Sequence, residues 1–180
     1  MMKKRLTSLA LSAMMVLSMV PATAFAAKDA GTPPTYNSAT GCYEISTPAQ
    51  LLYLAGKWKD GAPRDGHYVL TADIDMSGVK GFKPIASKKD EGFTGTFDGQ
   101  FHSIKGLRVE YEKKYAGLFG YVGNQDDQAY IKNVALLDCY VTGQQNVGAL
   151  AGVNYGTITG CAVTGEVKCL DLSNSHTAGG

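Results

Sequence analysis

Long apolar runs are missing from residues 27–180. A helical membrane span takes about 20 consecutive apolar residues, so no such span is expected there. An excess of one charge is missing as well: 17 Lys and Arg face 16 Asp and Glu. No basic footprint exists for nucleic acid or anionic lipid. Tryptophan occurs once, and the four cysteines, Cys42, Cys139, Cys161 and Cys169, show no C-x-x-C metal spacing. The three histidines, His67, His102 and His176, form no H-E-x-x-H, so this chain carries no metallopeptidase motif. No G-x-S-x-G elbow is present, and no G-x-G-x-x-G follows a strand to open a helix. The sequence therefore implies no cofactor and no metal.

What is present begins with a leader. Met1 to Arg5 is basic, residues 6–20 are apolar, and Ala24-Phe25-Ala26 offers small residues around a cleavage point. Residues 1–26 thus read as a secretory signal peptide. Without Lys3, Lys4 and Arg5, 14 basic residues remain against 16 acidic ones, a net charge of −2. Residues 27–40 are small, polar and Pro-containing, and read as a flexible leader. Export permits disulfides. Cys139 with Cys169 is the pair to test for one, whereas Cys161 reads as a small core residue.

Residues 41–66 read as an N-terminal cap with one helix. Tyr43 to Ile45 is a short strand signal. Thr47 suits the N-cap, Pro48 the first helical position, and Gln50 the reciprocal place in a capping box. Leu51, Leu54, Ala55 and Trp58 lie on one helical face. Such a helix is suited to cover the first coil of a stack. Residues 67–76 then read as strand, and residues 82–85 as another short apolar piece.

Three hexamers can be laid over one another: IKGLRV (104–109), IKNVAL (131–136) and ITGCAV (158–163). Each follows a glycine-rich stretch: GTFDG, GLFGYVG and ALAGVNYG. Strand-like units with Gly or Asn at a fixed offset suggest stacked coils. On this alignment Ile104, Ile131 and Ile158 form one inward ladder. Leu107, Val134 and Cys161 form a second, and Val109, Leu136 and Val163 a third. Gly106, Asn133 and Gly160 tolerate positive φ, which places a bend there, and Asp98-Gly99 marks another turn. The segment NQDDQ (124–128) reads as a loop insertion on one coil. The constant 27-residue Ile-to-Ile spacing is partly accidental, since variable segments offset one another. Residues 176–180 resemble the start of a further unit, so more repeats of the same polypeptide are expected beyond Gly180.

The stretch VGALAGVNYGTITGCAVTGEV (147–167) resembles the GLUG motif of bacterial surface and secreted proteins. Residues 115–143 resemble a second copy with an insertion, and residues 68–109 the segment that precedes such motifs. The resemblance covers roughly residues 43–180. It implies a β-solenoid, as found in adhesin-like proteins and in non-catalytic N-terminal regions of immunoglobulin-A-cleaving metallopeptidases. It brings no catalytic residues. Phe101 and Ala86 stand where such proteins usually have Gly.

Carboxylates and tyrosines are the remaining candidates for chemistry. Asp73 and Asp75 share a strand face, and with Asp98 they could serve as the paired acids of a polysaccharide-cleaving β-helix. The competing reading, favoured here, is that Asp75 and Asp98 cap turns. Asp126 and Asp127 lack the 12-residue pattern of a calcium loop and read as solvated. Tyr111, Tyr115, Tyr121, Tyr130, Tyr140 and Tyr155 recur near repeat edges. They can pack solenoid corners, the favoured reading, or stack on a ligand.

The fold expected is all-β: a right-handed parallel β-helix or related solenoid over residues 67–180, with a short N-terminal helical cap. The function expected is a non-catalytic secreted or cell-surface module for adhesion, ligand display or scaffolding. Its partner would be an extracellular protein or glycan. The alternatives are a carbohydrate-active β-helix enzyme and the non-catalytic N-terminal part of a larger secreted protease.

Overall fold

A computed structural model describes residues 31–56, 62–126 and 128–170, with the backbone of 178–179. The signal segment, residues 27–30, Trp58, Asp127 and His176 lie outside the described residues. The chain runs β1 (Thr35–Asn37), β2 (Cys42–Ile45), α1 (Pro48–Gly56), β3 (His67–Leu70), β4 (Ile74–Asp75), a 3-10 turn (Lys89–Glu91), β5 (Thr96–Asp98), β6 (Ser103–Lys105) and β7 (Arg108–Ala116). It continues through β8 (Phe119–Val122), β9 (Tyr130–Lys132), β10 (Ala135–Gly148), β11 (Ala151–Asn154), β12 (Thr157–Thr159), β13 (Ala162–Cys169) and β14 (Ala178–Gly179).

These strands wind into about three turns of a β-solenoid. One sheet runs β1-β2-β3-β5-β9-β12. The second runs β13-β10-β6-β4, with β7 and β14 also paired to β10, and the third is β11-β8. Among the described residues every strand pairing is parallel except that of β1 with β2. Parallel neighbours need a long crossover between them. Here one circuit of the solenoid supplies it.

The N-terminal boundaries differ from the sequence reading. Thr35–Asn37, inside the expected flexible leader, forms β1, in register with Cys42–Glu44. Its antiparallel pairing occupies the edge of β2, which would otherwise expose unpaired backbone. β2, over the expected Tyr43–Ile45 strand, pairs parallel with β3, Tyr43 opposite Tyr68, so the first sheet already begins within the 41–66 segment. In α1 the Gln50 N–H donates to Thr47 Oγ1 at 3.3 Å. Gln50 Oε1 accepts from Ser46 N at 2.8 Å and from the Thr47 hydroxyl at 3.2 Å. The capping box therefore closes one residue earlier than its usual form, on Ser46 rather than Thr47. Leu51 and Leu54 are fully buried and join the core with Ile45 and Leu70.

The three-rung ladders need correction. Ile131 pairs with Ile158, but its partner on the other side is Phe97, not Ile104. Ile104 lies in the second sheet, between Ile74 and Leu136. Leu136 does stack on Val163, but Val109 faces Val141. Leu107, just past the Gly106 bend, stands opposite Cys139 rather than Val134: Leu137 O accepts from Gly106 N, and Leu107 O accepts from Tyr140 N. The alignment holds between the second and third hexamers and slips by one solenoid corner for the first. The cause is local. All three hexamers code for a strand, a left-handed residue and another strand: φ is +68° at Gly106, +55° at Asn133 and +62° at Gly160. A solenoid has several such corners per turn, and the left-handed residue equivalent to Gly106 is Asp138, at +52°.

Burial follows position in the stack. Ile104, Leu107, Val109, Ile131, Val134 and Leu136 are buried, whereas Ile158, Cys161 and Val163, on the last described coil, are half-buried. A line of aromatic contacts runs through the early coils: Tyr36, Tyr43, Tyr68, Phe93, Phe119 and Phe97, with successive ring centroids 5.0–6.1 Å apart. None of the six was singled out by the repeat pattern. Aromatic pairs at these distances add stabilisation beyond their area.

Candidate ligand-binding cleft

The three candidate acids are each engaged by a different backbone N–H. Asp73 accepts from Ser103 N at 2.7 Å, and His102 Nδ1 lies 3.4 Å from the same oxygen. Asp75 accepts from Ser77 N at 2.8 Å. Asp98 accepts from Gln100 N at 2.9 Å and from Asn133 Nδ2 at 3.2 Å, and Lys132 Nζ lies 3.2 Å from its other oxygen. Hydrogen bonds from Ser103 hold the Asp73 carboxyl below the usual carboxylate range, and those from Ser77 do the same for Asp75. Burial pushes Asp98 up, but the Gln100, Lys132 and Asn133 bonds together outweigh it and leave its pKa lowered. A depressed pKa suits a structural carboxylate better than a general acid, which needs a raised one. His67 is exposed at the start of β3, and His102 sits in the turn after Gly99.

None of the four cysteines is in a disulfide. Cys169 pairs in register with Gly143, and Cys139 with Gly165. Four strand positions separate Cys139 from Gly143, roughly 13 Å at strand rise. A bridge needs Cα atoms within about 7 Å, so the expected Cys139–Cys169 pair cannot form. Burial raises the Cys139 thiol pKa, and Cys161 packs against the core.

The six tyrosines separate into distinct settings. Tyr111 packs on the core. Tyr140 lies between Arg108, 4.4 Å from its ring centre, and Lys168, 5.3 Å away. Tyr130 is exposed. Tyr115, Tyr121 and Tyr155 come together: Tyr115 meets Tyr121 edge-on at 5.4 Å, and Tyr155 lies 5.7 Å from Tyr121 at 30°. Tyr121 is only 5% exposed, and Tyr155 is half exposed. Burial, then the hydrogen bond with Tyr155, pushes the Tyr121 hydroxyl pKa up to about 12.

Two loop insertions frame this cluster. Phe119 pairs with Ile85 and Val122 with Phe93, so eight positions in one coil face three in the next. One coil later Val122 pairs with Asn154 and Tyr130 with Thr157, again eight facing three. The second insertion is the expected one around 124–128. The first, which includes the Lys89–Glu91 turn, left no repeat signal because no earlier copy aligns with it. Between them lies a cleft of about 360 Å³ lined by Lys89, Asp90, Tyr121, Asn124, Gln125, Asp126 and Tyr155. A Cβ on Gly92 would stand 3.1 Å from Tyr121 Cδ1 and 2.9 Å from Gly123 O, so glycine is needed for the ring to sit there. A second cleft of about 490 Å³, lined by Pro63, Arg64, Asp65, Thr94, Asp126 and Gln128, shares Asp126 with the first.

No protein-family profile matches the chain. It is 36% identical over 142 residues to halomucin of Haloquadratum walsbyi, a match covering 71% of this chain and 2% of that protein. It is 32% identical over 130 residues to the "putative Gly-rich membrane protein" of Evansella cellulosilytica, covering 67% of this chain and 14% of that one. The chain thus spans a small fraction of the length of either relative. In fold it is similar to the crystal structure of a "putative immunoglobulin A1 protease" from Bacteroides ovatus. The TM-score is 0.57 at 22% identity, over 76% of this chain and 39% of that one. No helix among the described residues is long and apolar enough to cross a membrane.

Proposed function

We propose that this chain is a non-catalytic module of a secreted or cell-surface protein, serving adhesion, ligand display or scaffolding, and that its coils are GLUG-type repeats. The observation that carries the reading is the engagement of Asp73, Asp75 and Asp98 by three different backbone N–H groups. Asp75 and Asp98 each cap the turn that follows them, and Asp73 ties its coil to Ser103 of the next. Parallel coils with side chains pointing alternately in and out give a long, stiff wall on which loops can be varied without disturbing the core. The names of the two relatives, a halomucin and a membrane protein, favour a place at the cell surface. The export signal read in residues 1–26 agrees with that place.

The test pairs a binding assay with an activity assay. The purified full chain is expected to adhere to intact bacterial or host cells and to release no reducing ends from plant or host polysaccharides. Depolymerisation that disappears in Asp75→Ala would replace this reading with the enzymatic one.

A further inference from the structure

We propose that the cleft between the two insertions is a binding site for a neutral glycan, with the exposed Tyr155 ring as its stacking platform. This inference rests on the non-catalytic reading above and names the ligand class. A pyranose presents a face of C–H groups and a rim of hydroxyls. It therefore needs an aromatic face beside groups that both donate and accept hydrogen bonds. The cleft supplies them together. Tyr155 is half exposed and is backed by Tyr121, which is itself braced edge-on by Tyr115. The platform is thus supported from behind, so little ordering is needed on binding. Lys89 donates, Asp90 and Asp126 accept, and the Gln125 amide does both. Backbone fixes the approach to Tyr155: its N–H donates to Val122 O at 2.8 Å, and Gly156 N donates to Asn154 Oδ1 at 3.0 Å.

Charge selects among sugars. Lys89 against Asp90 and Asp126 leaves the lining net negative, which disfavours uronates and sialic acids. Length follows from the second cleft. It meets the first at Asp126, and Arg64 Nη1 ties it to the first insertion by donating to Asp90 O at 3.2 Å. Two clefts that share Asp126 would let a ligand of more than one sugar extend from the Tyr155 platform toward Arg64.

The experiment places the full chain on an immobilised panel of defined neutral and acidic oligosaccharides. Neutral members of the panel are expected to be retained. Tyr155→Ala should weaken retention about tenfold, the loss of one aromatic contact, and Tyr155→Phe should keep most of it. Asp126→Ala, in an exposed loop, should also weaken retention, whereas Tyr36→Ala, at the far N-terminal edge, should not. Thermal melts check that each variant is folded. Retention of no member, preference for acidic sugars, or native retention by folded Tyr155→Ala would each overturn the proposal. Cell adhesion that persists in Tyr155→Ala alongside such a result would leave the display reading standing and remove only the glycan site.

Discussion

Phe97 and Ile131 face one another in register across β5 and β9, and Ile158 continues the same rung in β12. Phe97 and Ile131 are fully buried, while Ile158, on the last described coil, is half-buried. Truncating Ile131 leaves a cavity with neighbours stacked on both sides, whereas truncating Ile158 removes less buried surface. Ile131→Ala is expected to cost about 2–5 kcal/mol, and Ile158→Ala distinctly less. Urea unfolding of both variants checks the order, and equal losses would contradict the rung.

Asp98 is expected to make the fold acid-sensitive. Its pKa is lowered in the folded state. The ionised carboxylate therefore stabilises the fold above the ordinary aspartate value of about 3.9, and that stability is lost as pH falls through the lower folded value. The urea midpoint should decline below about pH 4, and Asp98→Asn should flatten part of that decline. Asp73 and Asp75 are shifted the same way and account for a further share. An acid slope identical in Asp98→Asn and the native chain would contradict the assignment.

Gly160 adopts φ +62°, and a Cβ there would lie 2.6 Å from Asn133 Oδ1. Gly160→Ala is expected to destabilise by about 1–2 kcal/mol, the cost of a side chain in the left-handed region. Gly160→Asn should cost less, because Asn tolerates that region and already occupies it at Asn133. Thermal midpoints of the two variants decide it.

The cysteine geometry predicts four titratable thiols after unfolding under non-reducing conditions, and one electrophoretic mobility with or without reductant. A cross-linked peptide joining Cys139 to Cys169 would contradict the β10–β13 register.

Much of the corner chemistry was legible because it is local. Gly106, Asn133 and Gly160 were read as bends and have positive φ, and Ala86 and Phe101, noted where similar proteins usually have Gly, have φ of +54° and +64°. The assignment of Ile104 was not legible. Two extra turn residues separate β5 from β6: Phe97 to Ile104 spans seven positions, where Ile131 to Leu136 and Ile158 to Val163 span five. Nothing in a hexamer says which corner it turns. The cleft was half legible. Its tyrosines and its second insertion were visible in the chain, but neither their meeting nor the first insertion was.

By itself the sequence determined the class of architecture, since alternation of inward aliphatics and left-handed Gly or Asn depends only on neighbours along the chain. The tertiary structure decided register, burial and site. It set Phe97 rather than Ile104 on Ile131, kept Cys169 away from Cys139, and brought Tyr155 over Tyr121 between two loops. Those relationships join residues about 25 to 35 positions apart, and such distances are fixed by the length of each circuit and its insertions, which only the closed stack of parallel coils makes definite.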